Sequence, residues 1–416
     1  MRKRSMATGP DFTAAPPPDD AVAAGRMFQA GVGVPLTPFR QFVVKLHSRC
    51  NIACDHCYMY ELADQSWRAR PMVMSDADID RLAARVAEHA HAHSLDSVEV
   101  LVHGGEPLLA GKAKLERLFA AVTAALRPNV RPVFTMQTNG ILLTEAMLEV
   151  LAAYEVHVGI SLDGGEQEND RHRRYTDGRG TYRQVMRGLD LLRSEPYRHL
   201  YRRLLCTVDV ANDPVRTFDE LARLSPPAID LLLPHATWEN PPPAGISTPG
   251  STPYADWLNA LFDHWYAGPA QHVQIRFFEE LIVQLLGGQA VTEKIGLSPI
   301  NFLVVETDGT LELQDALKAA YEGAAATGLT LADQPFDAVL EVPAVRANQS
   351  GLDGLSATCR ACPVVDVCGG GHYAHRYHAE TGFDNPSVYC ADLAALIIHV
   401  RQRVREDLAR LAESTQ

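Results

Sequence analysis

The stretch Gln41-Phe42-Val43-Val44-Lys45-Leu46-His47-Ser48-Arg49-Cys50-Asn51-Ile52-Ala53-Cys54-Asp55-His56-Cys57-Tyr58 decides how this chain is read. Its first half is a short, apolar, β-rich run of the kind that forms a buried strand. Its second half sets Cys50, Cys54 and Cys57 in a C-x3-C-x2-C spacing. Thiolates are the usual ligands of iron-sulfur clusters, and sulfurs this close in sequence can wrap one face of a cube. Three ligands leave one iron open, which is what a chelating substrate needs. The competing reading is a zinc knuckle, in which His47 or His56 supplies the fourth ligand of a closed site.

Moving outward, further strands are predicted near 97–103, 132–138, 156–161, 202–210 and 228–234, after a first at 41–46. Helical patterns at 76–92, 113–126, 144–153, 181–194 and 215–224 fit between them. Repeated β-α units imply a parallel sheet. The expected fold is α/β, a partial (β/α)6 barrel over residues 39–239, with chemistry at the carboxyl ends of the strands. Residues 1–38, rich in Ala, Pro, Gly and Asp, read as a flexible tail. The Pro/Gly-rich run Asn240 to Pro253 breaks the rhythm. Residues 240–300 are accordingly expected to be a linker with bridging helices near 254–267 and 277–287. A second, cysteine-bearing domain is expected over 301–416, opening with a hairpin at Asp308-Gly309 and closing with a helix near 391–412.

With 416 residues, 46% of them hydrophobic, the chain can bury a large core, and its net charge of -13 opposes binding to nucleic acid or an anionic membrane. No run of about 18 uncharged apolar residues is present. Met1 to Ser5 is basic but leads into no apolar segment, so a cytoplasmic protein is expected. The eight cysteines fall at 50, 54, 57, 206, 359, 362, 368 and 390. A triplet and a later quartet are unlike a disulfide framework and suit thiolates kept for metal in a reducing compartment.

Gly104-Gly105-Glu106-Pro107 follows the second predicted strand, Gln137-Thr138-Asn139-Gly140 ends the third, and Ser161-Leu162-Asp163-Gly164 ends the fourth. Together with the triplet, these motifs resemble the radical S-adenosylmethionine (radical SAM) superfamily. The resemblance implies a 4Fe-4S cluster on Cys50, Cys54 and Cys57, with S-adenosylmethionine bound to its open iron. Gly104, Gly105, Glu106 and Pro107 would contact the methionine amino group, with Asn139 at the same edge of the sheet. Ser161 and Asp163 would face the ribose, and Arg173, with Asp170 three residues before it, a carboxylate. Tyr58 resembles the aromatic that follows the triplet in relatives, whereas His56 stands where an aromatic usually precedes the last cysteine.

Cys359-x2-Cys362-x5-Cys368, followed by Cys390, resembles part of the SPASM domain, in which relatives hold auxiliary clusters on seven cysteines. Here Gln314 stands where one cysteine of that pattern would end a Gly-x4-Cys element, and His372 where a later one would fall. The resemblance implies one complete auxiliary 4Fe-4S cluster on the four remaining cysteines and loss of the inner one; zinc on the same sulfurs is the alternative. Asp315 matches an aspartate that accepts a substrate proton in related peptide-oxidising maturases.

Tyr60 to Arg68, Leu205 to Pro214, Pro234 to Trp238 and Cys368-Gly369-Gly370-Gly371 resemble the FxsB-type maturases, and the whole resemblance covers about residues 40 to 400. It implies an oxidoreductase that joins an aromatic ring carbon to a β-carbon two residues away in a ribosomally made precursor peptide, giving a three-residue cyclophane. The implied partners are that peptide with its leader segment and an external flavodoxin- or ferredoxin-type electron donor. Oxidation of a Cys or Ser side chain, a thioether or ether crosslink, and a noncatalytic iron-sulfur scaffold are the alternatives. His89, His91 and His93 read as a polar helix end, since a spacing of two turns each ring away from the next. Cys206 reads as a buried strand residue, and His375 and His378 share a helical spacing with His372 but lack a partner element.

Overall fold

The computed structural model describes residues 36–268, 273–290, 292 and 294–414. The tail expected over 1–38 therefore lies, as far as residue 35, outside the described residues. From Gln41 the chain alternates strand and helix. The strands are β1 (Gln41–His47), β2 (Ala53–Cys54), β3 (Ser97–Gly104), β4 (Arg131–Thr138), β5 (His157–Ser161), β6 (Arg173–Arg174), β7 (Tyr201–Thr207), β8 (Ala228–Leu232), β9 (Gln274–Ile275), β10 (Phe302–Val305), β11 (Thr310–Glu312) and β12 (Ala326–Thr330). The longer helices before β10 are α1 (Asp76–Ala92), α2 (Lys112–Leu126), α3 (Glu145–Ala153), α4 (Glu166–His172), α5 (Tyr182–Arg193), α6 (Pro214–Ala222), α7 (Pro253–Ala267) and α8 (Arg276–Leu285). Short helices α9 (Asp337–Leu340), α10 (Pro343–Asn348), α11 (Ala357–Arg360) and α12 (Val365–Cys368) lead to the closing α13 (Cys390–Ser414).

Alternation along each strand sorts its side chains into two sets. In β1 Phe42, Val44 and Leu46 are wholly buried against the helical layer, so Val43 and Lys45 face the other side. In β3 Val98, Val100 and Val102 are buried in the same way, and Leu101 and His103 line the hollow of the sheet. The helices supply the matching faces. Ile79, Leu82, Ala83, Val86 and Ala90 form one stripe of α1 at helical spacing, and Ser75 caps it by accepting the Asp78 N–H at 3.1 Å. Such a cap contributes about 1 kcal/mol.

Ten strands form one sheet in the order β12-β11-β10-β1-β3-β4-β5-β7-β8-β9. From β10 to β9 every pairing is parallel, and β11 alone runs the other way, pairing antiparallel with both β10 and β12. The six predicted strands are thus neighbours in sequence order, and the fold is the α/β partial barrel expected from the sequence. β7 stops at Thr207, short of the expected residue 210, and there Asp163 accepts the Thr207 N–H at 2.8 Å.

The hairpin at Asp308-Gly309 is present, with Gly309 at φ +78° in the turn. Its first strand does more than the sequence indicated. β10 pairs with β1 from Gln41↔Phe302 to Val44↔Val305, so the main sheet crosses the boundary drawn at residue 301. A run such as Phe302-Leu303-Val304-Val305 suits a parallel strand buried on both faces.

Candidate active site

The cysteine triplet sits in the loop at the carboxyl end of β1. Cys57 N–H donates to the Cys54 carbonyl at 3.2 Å and Glu61 N–H to the Cys57 carbonyl at 2.9 Å, which coils the loop. β2 pairs antiparallel with β6, placing Cys54 opposite Arg173. Burial pushes the Cys50 and Cys54 thiols up to about 12, and each thiol's charge is felt by the next. Iron would deprotonate sulfurs held this way. The histidines that a knuckle needs are engaged elsewhere, His47 with the backbone of Arg49 and His56 near Asp163 at 3.8 Å.

The other motif residues converge on the same edge. A Cβ on Gly104, whose φ is +142°, would meet the His47 carbonyl oxygen at 2.4 Å, and one on Gly105 would meet the Arg49 carbonyl oxygen at 2.3 Å. Backbone packing that close against the cysteine loop admits only glycine. Glu106 is turned inward and 1% exposed. It accepts from Thr138 Oγ1 at 2.6 Å, Asn139 N–H at 2.9 Å and Leu108 N–H at 3.0 Å, tying β3 to β4. Pro107 begins the 3-10 turn that follows. Asn139 Nδ2 donates to Asn51 Oδ1 at 2.8 Å and lies 3.8 Å from Cys50 Sγ.

Ser161 Oγ accepts from Gln137 Nε2 at 2.9 Å. Asp163 forms a fork with Arg173, Oδ2 to Nε at 2.7 Å and Oδ1 to Nη2 at 3.1 Å, and Arg173 Nη1 reaches Cys54 Sγ at 4.0 Å. Burial alone would raise the Asp163 carboxyl, but Arg173 and His56 outweigh it and hold it below the usual range. Arg173 thus pairs with Asp163, and Asp170, three residues before it, is turned elsewhere. Asp170 accepts from the Thr181 and Tyr182 N–H groups at 2.8 Å and anchors the start of α5.

The strands enclose a cavity of about 620 Å³, lined by Tyr58, His103, Leu205, His235 and Asp315 among others. Asp315 opens a 3-10 helix, Asp315–Ala319, shortly after the hairpin. Lys45 Nζ stands 2.7 Å from its Oδ2, and Lys318 Nζ 3.8 Å from its Oδ1. Lys318 also bonds Glu306 at 2.5 Å and Glu312 at 2.7 Å, with Arg70 completing the network on Glu312. Glu306, Glu312 and Asp315 have the spacing of a metal site, but the Lys318 ammonium sits among them.

The cysteine quartet also gathers. Cys359 lies on α11, Cys362 just beyond it, Cys368 ends α12 and Cys390 begins α13. Burial and the charge of Cys390 push Cys368 up to about 12, while burial and Cys359 push Cys390 up to about 11. Four thiols close enough to feel one another's charge suit ligation of an iron-sulfur cluster. After Cys368 the chain reverses through Gly369, Gly370 and Gly371, at φ +59°, +77° and +66°. Their carbonyls converge on the Arg376 guanidinium at 2.7, 3.1 and 2.9 Å.

Cys206 is a buried strand residue of β7, 1% exposed. The polar helix end expected at His89, His91 and His93 holds only in part. His89 and His93, four apart and so on one face, both meet Asp337 Oδ1, at 2.6 and 3.0 Å, and His89 is 2% exposed. Sequence reading missed Lys45, Lys318 and His235. A lysine in the middle of an apolar strand, as in Val43-Val44-Lys45-Leu46, was the available signal for the first.

The sequence matches the radical SAM superfamily over residues 44–221. The cysteine-type anaerobic sulfatase-maturating enzyme of Clostridium perfringens is 26% identical over 283 residues, 66% of this chain and 74% of that enzyme. The serine-type anaerobic sulfatase-maturating enzyme of Klebsiella aerogenes is 31% identical over 157 residues, 37% of this chain and 37% of that enzyme. The fold resembles that of native anSMEcpe with bound AdoMet and Cp18Cys peptide, with TM-score 0.75 at 21% identity over 90% of this chain and 99% of that one. It also resembles Streptococcus suis SuiB bound to precursor peptide SuiA, with TM-score 0.56 at 13% identity over 85% of this chain and 76% of that one.

Proposed function

We propose that this chain, which belongs to the radical SAM superfamily, is a peptide maturase that installs a carbon-carbon crosslink, giving a three-residue cyclophane in a ribosomally made precursor peptide. Its cofactors are S-adenosylmethionine, a 4Fe-4S cluster on Cys50, Cys54 and Cys57, and one auxiliary 4Fe-4S cluster on Cys359, Cys362, Cys368 and Cys390. When bound, S-adenosylmethionine and the reduced site cluster supply the 5'-deoxyadenosyl radical that removes a hydrogen atom from the substrate β-carbon. An external flavodoxin- or ferredoxin-type protein would deliver the electron. Gly104 and Gly105 offer backbone groups to the methionine moiety. Asn139, Ser161 and the Asp163–Arg173 pair border the remainder of the ligand, and Tyr58 closes the wall toward the peptide.

The observation that carries the reading is Asp315, a carboxylate held by Lys45 at 2.7 Å on the wall of a cavity of about 620 Å³, lined by both apolar and polar side chains, with room for an aromatic ring and a neighbouring side chain. Addition of the β-carbon to a ring carbon leaves the ring with one proton and one electron in excess. In this reading Asp315 accepts the proton. The auxiliary cluster would accept the electron, so the peptide loses two hydrogens in all. The likeness to sulfatase-maturating enzymes supports a second reading, two-electron oxidation of a Cys or Ser side chain at the same Asp315.

Anaerobic turnover of a candidate precursor with S-adenosylmethionine and reductant, followed by tandem mass spectrometry, separates these readings. A peptide two hydrogens lighter that resists fragmentation within a three-residue segment supports the crosslink. Loss of two hydrogens at one residue, with ordinary fragmentation on both sides, supports side-chain oxidation. Neither peptide product nor 5'-deoxyadenosine, with both clusters intact, would return the protein to a scaffold role.

A further inference from the structure

Histidine spacing alone could not show what the tertiary structure brings together above the cavity. His372 and His375 flank the first turn of a 3-10 helix, Tyr373–Arg376, with three residues per turn, so the two rings project from one face. His235, in the loop after β8, arrives from the opposite side. The ring centroids are 4.9 Å apart for His372 and His375, 5.3 Å for His235 and His372, and 5.4 Å for His235 and His375. One nitrogen from each lies within 4.8 Å of the others, and His235 Nδ1 is 3.2 Å from His375 Nε2.

We propose that His235, His372 and His375 form a mononuclear site for a divalent first-row metal ion, zinc foremost, whose fourth position opens to the substrate cavity. A tetrahedral ion with nitrogens at about 2.0–2.1 Å sets its ligand atoms about 3.3–3.4 Å apart, close to the His235–His375 separation. Three imidazoles without thiolate or carboxylate suit zinc among the common ions. Burial keeps all three rings uncharged, the form that ligates. The hydrogen bond between His235 Nδ1 and His375 Nε2, 3.2 Å, is the interaction that the ion displaces.

A second observation points to a ligand at the same place. Gln314 is 2% exposed and lines this cavity, yet neither its amide oxygen nor its amide nitrogen has a hydrogen-bond partner. A buried primary amide left wholly unpaired is costly, because both groups have given up water for nothing. A metal-bound water, or a peptide carbonyl held at the open position, supplies the missing partner. The charges nearby are mixed: Lys294 and Arg376 oppose a cation, and Asp315 favours it. At the open position the ion would fix a peptide carbonyl as a Lewis acid, next to the carboxylate of Asp315. The site stands whichever peptide reaction the enzyme performs.

The test is zinc K-edge X-ray absorption on the cluster-loaded full chain after dialysis against micromolar zinc. About one zinc per chain is expected, with a nitrogen and oxygen shell, imidazole scattering and no sulfur neighbour. His235→Ala and His375→Ala should each lose that zinc while iron and sulfide contents stay unchanged. Zinc with sulfur neighbours, zinc retained in both variants, or no zinc after dialysis would overturn the proposal. The spectrum of the unmodified protein decides even where a variant fails to fold.

Discussion

Lys45 Nζ and Asp315 Oδ2 are 2.7 Å apart, one from the first strand of the chain and the other from the third residue after the β10–β11 hairpin. Their meeting follows from the parallel pairing of β10 with β1, which carries the Asp315 helix over the carboxyl end of the strand bearing Lys45. A carboxylate fixed by an ammonium 1% exposed is oriented before any substrate arrives.

Asp315→Asn should lower peptide product formation by roughly 10²–10⁴-fold, the usual contribution of a general base. S-adenosylmethionine cleavage should continue, uncoupled from product. Lys45→Met should give a smaller loss with the same uncoupling. Measuring 5'-deoxyadenosine and peptide product side by side checks both, and a parallel fall of the two would remove Asp315 from the proton-accepting role.

The two cysteine sets should load independently. Replacing Cys50, Cys54 and Cys57 by Ala should remove about four irons per chain and all S-adenosylmethionine cleavage. Replacing Cys359 and Cys368 should remove a similar amount while leaving the site cluster's electron paramagnetic resonance signal with S-adenosylmethionine. Iron and sulfide analysis with that spectrum distinguishes the outcomes, and total iron loss from either replacement would show the sets to be coupled.

Acid stability should depend on Asp163. Its carboxyl is held below the usual value, so the native state releases this proton more readily than the unfolded chain. The resulting stabilisation is full above the unfolded value of about 3.9 and is lost as pH falls through the folded value. Asp163→Asn should flatten that acid limb. It should also cost about 3–5 kcal/mol at neutral pH, because Arg173 is left buried without its counter-charge. Denaturant titrations across pH 3 to 7 test both statements; an unchanged acid limb would contradict the linkage.

Gly369→Ala should disrupt the auxiliary region selectively. Its Cβ would lie 1.7 Å from the Gly296 carbonyl oxygen, at a φ of +59° that alanine adopts only with strain. The expected result is loss of about half the iron with the site cluster retained, read by iron content and thermal melting. A protein with full iron and unchanged melting would contradict the packing described for this turn.

The sequence by itself determined the parts that rest on local pattern. Period-two and helical alternation located the six main strands and their helices, because each element buries a face set by its own repeat. Spacing alone exposed both cysteine sets, since ligands on one short loop need no distant partner. Glycines at 104 and 105 were legible for a related reason: a backbone touching another backbone admits no other residue.

Tertiary structure alone decided which distant side chains meet. Arg173 pairs with Asp163 and not with Asp170, because β6 docks on β2 and turns the guanidinium toward the sheet. β10 joins the main sheet, a choice invisible in a four-residue apolar run that would pair equally well elsewhere. His372 and His375 gain His235 only when the three-glycine reversal swings their helix over β8. Such contacts depend on closing long loops, whose free energy comes from the packed core as a whole and is written in no single motif.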